Sequence, residues 1–314
     1  MSEEERDIIN NAKSRILDLF AELGDSELRS VEQWIGSKKY KKDLENKKSI
    51  LRSDKLLYKI GEVIKKMVPF DAEMPSEKIA PPIEGDQADC NKVNTHHVDE
   101  FLYDEEEVEE LVKEGKLTRH YCLDCNSRNV KELTLISHSM SRQQLQYLFK
   151  VLLPKDLEDK QILDVGSRFG GILFSAYYFT NATSIVGIEM NKECCELQET
   201  IISQFGMDKN RIKIVHSDVT TKKDILKESD ICILNVFDFF VTTEEHKRLW
   251  YFFKECLKKG SYVVMNRSIV DTLTGLDIFE EFIDWLSVCR PLQMENEIFF
   301  DVEDLHEIFL YTVN

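Results

Sequence analysis

One segment combines the residue types of a ligand-binding turn. Residues 162–171 read ILDVGSRFGG, an apolar run that ends in glycine-bearing sequence. Glycine has no Cβ and tolerates a positive φ, so the backbone of such a turn can come close to a ligand. The helix that begins behind the turn presents its free N–H groups at the same place. The pattern predicts a binding turn whose contacts come from Asp164, Gly166, Ser167 and Gly170.

Two more acidic residues end apolar runs further along the chain. Glu189 closes the run SIVGIE, 25 residues after Asp164, and Asp218 closes a third run. A carboxylate has two acceptor oxygens, so Glu189 could accept hydrogen bonds from both hydroxyls of a ribose. Because dinucleotide-binding folds use an acid in the same way, Glu189 alone does not separate the two cofactor classes.

These residues resemble the first motif of the class I S-adenosylmethionine-dependent methyltransferases, D/E-x-G-x-G-x-G. Asp164, Gly166 and Gly170 match the first, second and last marked positions, and Arg168 stands where the family has its middle glycine. That departure makes a dinucleotide pyrophosphate a poorer fit to the turn. The resemblance covers residues 161–314. The alternative is a parallel α/β domain without this cofactor.

The resemblance implies a role for the residues after the second and third apolar runs. Glu189 would bind the ribose of S-adenosylmethionine, and Asp218 would take the adenine amino group. Met190 and Val219 would flank the adenine ring. A Rossmann-like methyltransferase fold and methyl transfer are therefore expected.

The fourth apolar run leads into LNVFDFF at residues 234–240, where the family keeps its substrate-facing loop. The loop is similar to that of the non-SET histone-lysine methyltransferases, which begin it with Asn-Asn-Phe, although Val236 replaces the second Asn. Asn235 could contact the cofactor and orient an acceptor amine, and Asp238 could accept its proton. The aromatic residues of the loop would wall the acceptor pocket, or pack as ordinary core.

A cysteine and histidine segment precedes this region. Cys122 and Cys125 have the two-residue spacing of a zinc knuckle, which supplies two of the four ligands of a tetrahedral Zn²⁺. Cys90 together with His97 (or His96) would supply the other two, giving a structural zinc site. A redox pair and incidental cysteines are the alternatives.

The elements that must position these residues follow from periodicity. Before residue 68, apolar residues recur at helical spacing. After residue 160, short apolar strands alternate with amphipathic helices, which indicates right-handed βαβ crossovers. We expect an α/β fold with a doubly wound, mainly parallel seven-stranded sheet and a closing antiparallel strand. A helical module (1–68), a linker with the zinc-binding segment (69–140) and the methyltransferase domain (141–314) would follow one another. The closing strands are predicted at 288–294 and 306–313, after a helix at 277–287.

Charge and composition limit the partners. The chain has 58 acidic and 41 basic residues, a formal charge of −17, which opposes coating of nucleic acid. Residues 38–66 are locally basic, and the acidic runs at 99–100 and 104–110 are predicted to be solvated. No apolar run is long enough to span a membrane. The acidic, polar N-terminal sequence does not resemble a leader, so we expect the cytosol or the nucleus.

The sequence is consistent with three functions. The first is methylation of a macromolecule. The acidic balance and the loop at Asn235 favour a protein side chain, whereas the basic stretch at 38–66 and the zinc-binding segment favour RNA. The second is a non-catalytic scaffold that keeps the fold, which the departures at Arg168 and Val236 allow. The third is methylation of a small molecule, which does not require so large a region before the cofactor domain.

Overall fold

The computed structural model describes residues 2–81, 88–124, 129–235, 237, 239–300, 305 and 308–314. The chain forms two compact units, Met1–Leu51 and Arg52–Asn314. Residues 69–140, which the sequence suggested as a separate segment, fall in the same unit as the residues that form the sheet. In the described ranges, none of the helices is both long enough and apolar enough to cross a lipid bilayer.

The first unit is helical. It contains α1 (Glu3–Ala21), α2 (Asp25–Gly36) and the first half of α3 (Lys39–Ile64). Ser2 caps α1, since its hydroxyl accepts from the Glu5 N–H at 3.1 Å and the Glu5 carboxylate accepts from the Ser2 N–H at 2.7 Å. Neither α1 nor α2 has a buried residue.

The second unit begins with the other half of α3 and a set of short elements. These are β1 (Thr95–His97), α4 (Glu105–Lys113), β2 (His120–Cys122), β3 (Val130–Glu132), β4 (Thr134–Ile136) and α5 (Arg142–Tyr147). Strands β1 and β4 pair in parallel with His97 opposite Ile136, whereas β2 and β3 form an antiparallel pair. Helix α5 begins at the capping residue Ser141 and continues as a π-helix over Leu148–Leu152.

The main sheet has seven strands, as predicted. They are β5 (Gln161–Val165), β6 (Ser184–Glu189), β7 (Ile212–His216), β8 (Ile231–Leu234), β9 (Tyr262–Met265), β10 (Leu286–Val288) and β11 (Phe309–Val313). Their order is β10-β11-β9-β8-β5-β6-β7. The five strands β5 to β9 are parallel to one another, and β11 pairs antiparallel with both β9 and β10.

Helices connect the parallel strands. They are α6 (Gly171–Phe179), α7 (Lys192–Gln204), α8 (Lys223–Glu228), α9 (Thr243–Cys256) and α10 (Ile269–Gly275). The buried strand residue Leu163 shares one core with Trp250 and Phe253 of α9. The strand order reverses between β5 and β8, so the carboxyl ends of these two strands open a crevice of the kind in which doubly wound sheets bind ligands.

The C-terminal elements differ from the prediction. Instead of a helix at 277–287, the structure has a single 3₁₀ turn at Phe279–Glu281, and β10 begins at Leu286, before the predicted strand. The reason is pairing with the end of the chain, because Leu286 lies opposite Val313 in the ladder. Phe282 and Trp285 are buried three residues apart. That spacing suits a 3₁₀ turn as well as an α-helix, so periodicity could not separate them.

Candidate functional site

The turn after β5 has the backbone that the sequence predicts. Gly166, Arg168 and Gly170 all adopt positive φ, at 77°, 42° and 84°. A Cβ on Gly170 would lie 2.6 Å from the Phe174 ring, so no side chain fits there without a shift. Arg168 is an L-residue in the left-handed region, a conformation that costs on the order of 1–3 kcal/mol and persists only where the surroundings enforce it.

Contacts of the Arg168 side chain hold the residue in this left-handed conformation. Its Nε lies 2.8 Å from Glu77 Oε1, and its Nη1 lies 3.4 Å from Asp99 Oδ2. The guanidinium also donates to the carbonyl oxygen of Ala72. All three ionic side chains are at most 8 % exposed. The arginine that replaces the middle glycine therefore links Ala72, Glu77 and Asp99 to the turn after β5.

Asp99 corrects one expectation. It belongs to an acidic run that the sequence suggested was solvated, yet the residue is only 1 % exposed. Its carboxylate accepts from the Ser139 hydroxyl at 2.5 Å and from the backbone N–H groups of Phe101 and Leu102. Burial raises the pKa of Asp99, while Arg168 and these hydrogen bonds oppose that rise.

Asp164, at the end of β5, is a buried carboxyl without a partner. The residue is 1 % exposed, and neither of its oxygens has a hydrogen-bond partner. Burial, followed by the nearby charge of Glu189, raises the pKa of Asp164 well above its usual range. Because unpaired buried polar groups are costly, two orphaned oxygens indicate a place for a ligand that donates hydrogen bonds.

Glu189 lies beside the turn at the end of β6. Its Oε2 accepts from the Arg168 N–H at 2.8 Å, and its Oε1 accepts from the Asn191 N–H at 2.7 Å. Burial raises the pKa of Glu189, and these two backbone hydrogen bonds lower it. Each carboxylate oxygen can accept more than one hydrogen bond, so the side chain is held in place and can still receive two ribose hydroxyls.

The other predicted cofactor residues lie around the same edge of the sheet. The Ser167 hydroxyl donates to Gln198 Oε1 at 2.9 Å and so serves the turn itself. The Asp218 carboxylate accepts from the Thr220 N–H and hydroxyl, each at 2.8 Å. Val219 is 7 % exposed and Met190 is 67 % exposed. Met190 can therefore reach a ring placed over Val219 from the solvent side.

A small cavity lies where these residues meet the N-terminal part of the unit. It measures about 20 Å³, room for about one water molecule. Its lining includes Gly166, Arg168 and three residues with orphaned buried atoms, which are His138 (Nδ1), Asp164 (both carboxylate oxygens) and Asn235 (Oδ1). An organic cofactor or acceptor needs more room, so its binding requires the surrounding segments to shift.

Asn235 occupies the predicted position at the end of β8. Its Nδ2 donates to the backbone oxygen of His138 at 3.1 Å, which leaves its Oδ1 facing no partner. Asp238, the predicted proton acceptor, and Val236 lie outside the described residues. Phe239 is 3 % exposed and packs with Phe240 around His138, at ring-centroid distances of 5.2 Å and 4.9 Å from that imidazole.

The histidine pair is a feature that sequence reasoning missed. His97 Nδ1 and His138 Nε2 lie 2.9 Å apart, and the two rings stack with centroids 4.9 Å apart. His97 Nε2 lies 3.4 Å from Glu73 Oε1. Burial and the positive charge of Arg168 lower the pKa of His138 to about 2, so this imidazole is neutral. The only signal in the sequence was that His138 lies shortly before the helix-capping residue Ser141. His97 is 41 residues away from it.

The predicted zinc ligands are not brought together. Cys90 is buried in an apolar cluster with Ile136 and Phe239, whereas Cys122 is exposed on β2. Both ring nitrogens of His97 are engaged by His138 and Glu73, which assigns this residue to a histidine pair. Cys125 lies outside the described residues. Among the residues that are described, no group of three or more His, Cys, Asp or Glu could hold a metal ion, so the zinc site has no support here.

Comparison with known proteins gives two kinds of likeness. A putative S-adenosylmethionine-dependent methyltransferase from Streptococcus mutans matches at 13 % identity and a TM-score of 0.42, covering 84 % of this chain and 81 % of that one. The precorrin-6y C5,15-methyltransferase of Geobacter metallireducens matches at 18 % and 0.36, covering 46 % and 72 %. An RNA methyltransferase from Salinibacter ruber, in complex with S-adenosyl-L-homocysteine, matches at 19 % and 0.30, covering 35 % and 67 %.

No curated protein matches the chain. The second likeness is to a protein family described as O-methyltransferase, whose sequence model matches residues 110–271, just over half of the chain. That range includes the turn after β5, Glu189, Asp218 and Asn235. The chain therefore belongs to the O-methyltransferase family and is a class I S-adenosylmethionine-dependent methyltransferase, an enzyme rather than a non-catalytic scaffold.

Proposed function

We propose that the enzyme transfers the methyl group of S-adenosylmethionine to a hydroxyl group of a protein. The cofactor would lie along the carboxyl edge of the sheet, with its amino-acid part at Asp164 and Gly166. Its ribose would bind Glu189, and its adenine would lie between Met190 and Val219 with its amino group at Asp218. Ser167 and Gly170 shape the turn, and Asn235 lies at the acceptor end.

S-adenosylmethionine supplies an electrophilic methyl carbon attached to a positively charged sulfur. Transfer is an in-line displacement, so the protein contributes mainly by holding the acceptor oxygen about 3 Å from that carbon. Asn235 Oδ1 is a buried acceptor without a partner, and it can orient an acceptor that carries a hydrogen.

The orphaned atoms also favour a hydroxyl among oxygen acceptors. Asp164 offers two acceptor oxygens and Asn235 one. A carboxylate brought to these atoms would meet lone pairs only, and it would need a cation. The one arginine at the cavity is already matched by Glu77 and Asp99. A hydroxyl can instead donate its single hydrogen to one unpaired lone pair at the cavity, and the family's name points to an oxygen acceptor.

The charge around the cavity supports a protein, rather than RNA, as the methyl acceptor. Arg168 faces the carboxylates of Glu77 and Asp99, and Glu73 and Asp71 lie on the side of His97. One cation against four carboxylates, on a chain of charge −17, repels the phosphates of RNA. The separate helical unit also exposes large apolar side chains on α1, of the kind that contact other proteins.

The test is transfer of labelled methyl from the cofactor to a cell lysate, with the lysate treated beforehand with protease or with RNase. We expect the label to vanish after protease and to survive RNase. Label in an ether bond would also resist mild alkali, whereas a methyl ester would be hydrolysed. Loss of label after RNase treatment would contradict the proposal, and a Glu189→Ala enzyme, expected to label nothing, controls for other methyltransferases in the lysate.

A further inference from the structure

We infer that His138 is the general base of the reaction, and that His97 and Glu73 pass the acceptor's proton from it to water. This inference rests on the proposed transfer to a hydroxyl group, because a hydroxyl must lose its hydrogen as the new bond forms. It adds a chain of three residues that the cofactor motif does not contain.

The starting point is an unpaired atom. His138 is 7 % exposed and lines the cavity beside Asp164 and Asn235, and its buried Nδ1 has no hydrogen-bond partner among the residues that the structure describes. The other nitrogen of the ring is engaged by His97. Nδ1 is therefore the atom of His138 that a ligand in the cavity can contact.

The contacts of the pair determine which nitrogens carry hydrogen. Glu73 Oε1 lies 3.4 Å from His97 Nε2 as an ion pair, and its negative charge favours hydrogen on that nitrogen of the neutral ring. His97 Nδ1 is then an acceptor. His138 Nε2, which lies 2.9 Å away, must be the donor. It follows that His138 Nδ1 holds a free lone pair, as a general base requires.

The exposed fraction increases in steps from His138 through His97 to Glu73. His138 is 7 % exposed, the His97 side chain is 16 % exposed, and the Glu73 side chain is 41 % exposed. Burial and Arg168 disfavour a positive charge on His138. A proton taken up there is consequently driven on towards the exposed carboxylate.

Methyl transfer is coupled to three proton transfers. A lone pair of the acceptor oxygen forms the bond to the methyl carbon while the bond from that carbon to sulfur breaks, leaving a neutral thioether. The hydroxyl proton moves to His138 Nδ1, the Nε2 proton of His138 moves to His97 Nδ1, and the Nε2 proton of His97 moves to Glu73. Glu73 releases it to water, and each ring ends with its hydrogen on the other nitrogen.

Other charged groups face the pair and set its titration. Those around His97 are Glu73 and Asp71, which favour its protonation, and Arg168 and His96, which disfavour it. Arg168 and His97 also act on His138. Burial is the largest influence on both rings and lowers both pKa values.

A first experiment reads the ring nitrogens directly and needs no acceptor. Long-range ¹⁵N–¹H spectra of the full chain, with labelled histidine, distinguish protonated from unprotonated nitrogens, and His97→Gln and His138→Gln variants assign the signals. We expect His138 to carry hydrogen on Nε2 only, without titrating between about pH 5 and pH 8. Hydrogen on Nδ1, or titration in that range, would overturn the inference.

A second experiment measures transfer, with the lysate protein fraction as acceptor. His138→Gln should reduce kcat by about 10²-fold to 10⁴-fold, and calorimetry should find its affinity for S-adenosylmethionine unchanged. His138→Phe keeps an aromatic ring against Phe239 and should lose as much. Glu73→Gln should lose less and should shift the pH profile. The control is His120→Gln, since His120 is exposed on β2.

The outcomes separate the two proposals. If the parent enzyme labels no protein, the proposed function is wrong, and this inference, which rests on it, is wrong as well. If the parent labels protein and His138→Gln does so at the same rate, the proposed function stands and the base is a different group. If His138→Phe retains activity, the ring has a packing role only, and the inference is equally wrong.

Discussion

Arg168 and Glu77 form a buried ion pair, with 2.8 Å between Nε and Oε1, although 91 residues separate them in sequence. The pair joins the cofactor turn after β5 to the segment that precedes β1. Asp99 adds a second carboxylate to the same guanidinium. The residue that departs from the glycine motif is thus a structural link between two distant parts of the unit.

Removing the arginine should destabilise the protein strongly. Arg168→Met leaves Glu77 and Asp99 buried without their cation, a change that typically costs about 3–5 kcal/mol. Urea unfolding of the variant and the parent measures the loss. Lys209→Met, which breaks the exposed pair with Glu199, should change the free energy of unfolding little. Equal effects of the two substitutions would show that the buried pair does not stabilise the fold.

A second prediction concerns the last glycine of the turn. Gly170→Ala introduces a Cβ at a φ of 84° and within 2.6 Å of the Phe174 ring. We expect a loss of about 2–3 kcal/mol, since backbone strain and overpacking add. Gly260 has a similar φ of 82° with nothing nearby, so Gly260→Ala should lose only about 1 kcal/mol. Thermal unfolding compares the two variants, and an equal loss would rule out the crowding.

The third prediction tests the ribose site. In Glu189→Gln the amide nitrogen must face a backbone N–H, of Arg168 or of Asn191, where the carboxylate now accepts. We expect affinity for S-adenosylmethionine to fall about 10-fold to 100-fold, the value of one or two hydrogen bonds to a charged group. Titration calorimetry measures it. Glu199→Gln, on the exposed side of α7, is the matched control, and an unchanged affinity in Glu189→Gln would remove this residue from the site.

The fourth prediction is a dependence of stability on pH. The pKa of His138 is about 2 in the folded chain against an ordinary 6.5, so below 6.5 the unfolded chain binds a proton that the folded chain does not. Stability from the neutral ring is present above that pH and decreases on acidification. Relative to His138→Phe, the parent should lose about 1.4 kcal/mol per pH unit between about pH 6 and pH 4.

Urea unfolding of both proteins across that range checks this difference, in which the other titrating groups largely cancel. Parallel curves for the parent and His138→Phe would mean that the imidazole titrates normally in the folded protein. His216→Phe serves as the comparison variant, because His216 lies exposed at the end of β7.

The sequence and the structure agree most closely where the signal is local. The limits of β5, β6 and β7 are those that alternation predicts, and the positive φ at Gly166 and Gly170 follows from the motif. The acid ending each strand is part of the same short pattern. Local periodicity is sufficient here because each βαβ unit is built from neighbouring residues.

The contacts that complete the site are not local. Glu77 and Arg168 are 91 residues apart, and His97 and His138 are 41 apart. Neither pair has a fixed spacing that a motif could express. Asp99 lies in a run of acids, where solvation is the ordinary expectation, and its burial depends on contacts with the distant Arg168 and Ser139. The cysteine spacing at Cys122 predicted a zinc site that the described residues do not support, and Cys90, another predicted ligand, is buried in an apolar cluster.

The parallel pair β1–β4 has a consequence for the order of folding. It holds His97 and His138 together only after a long excursion of the chain has closed, and closing such a loop delays contact formation. The turn after β5 lies within the contiguous and shorter stretch from β5 to β6. In a refolding chain the β5–β6 pair should therefore close before the β1–β4 pair, so the turn should form before the two histidines meet.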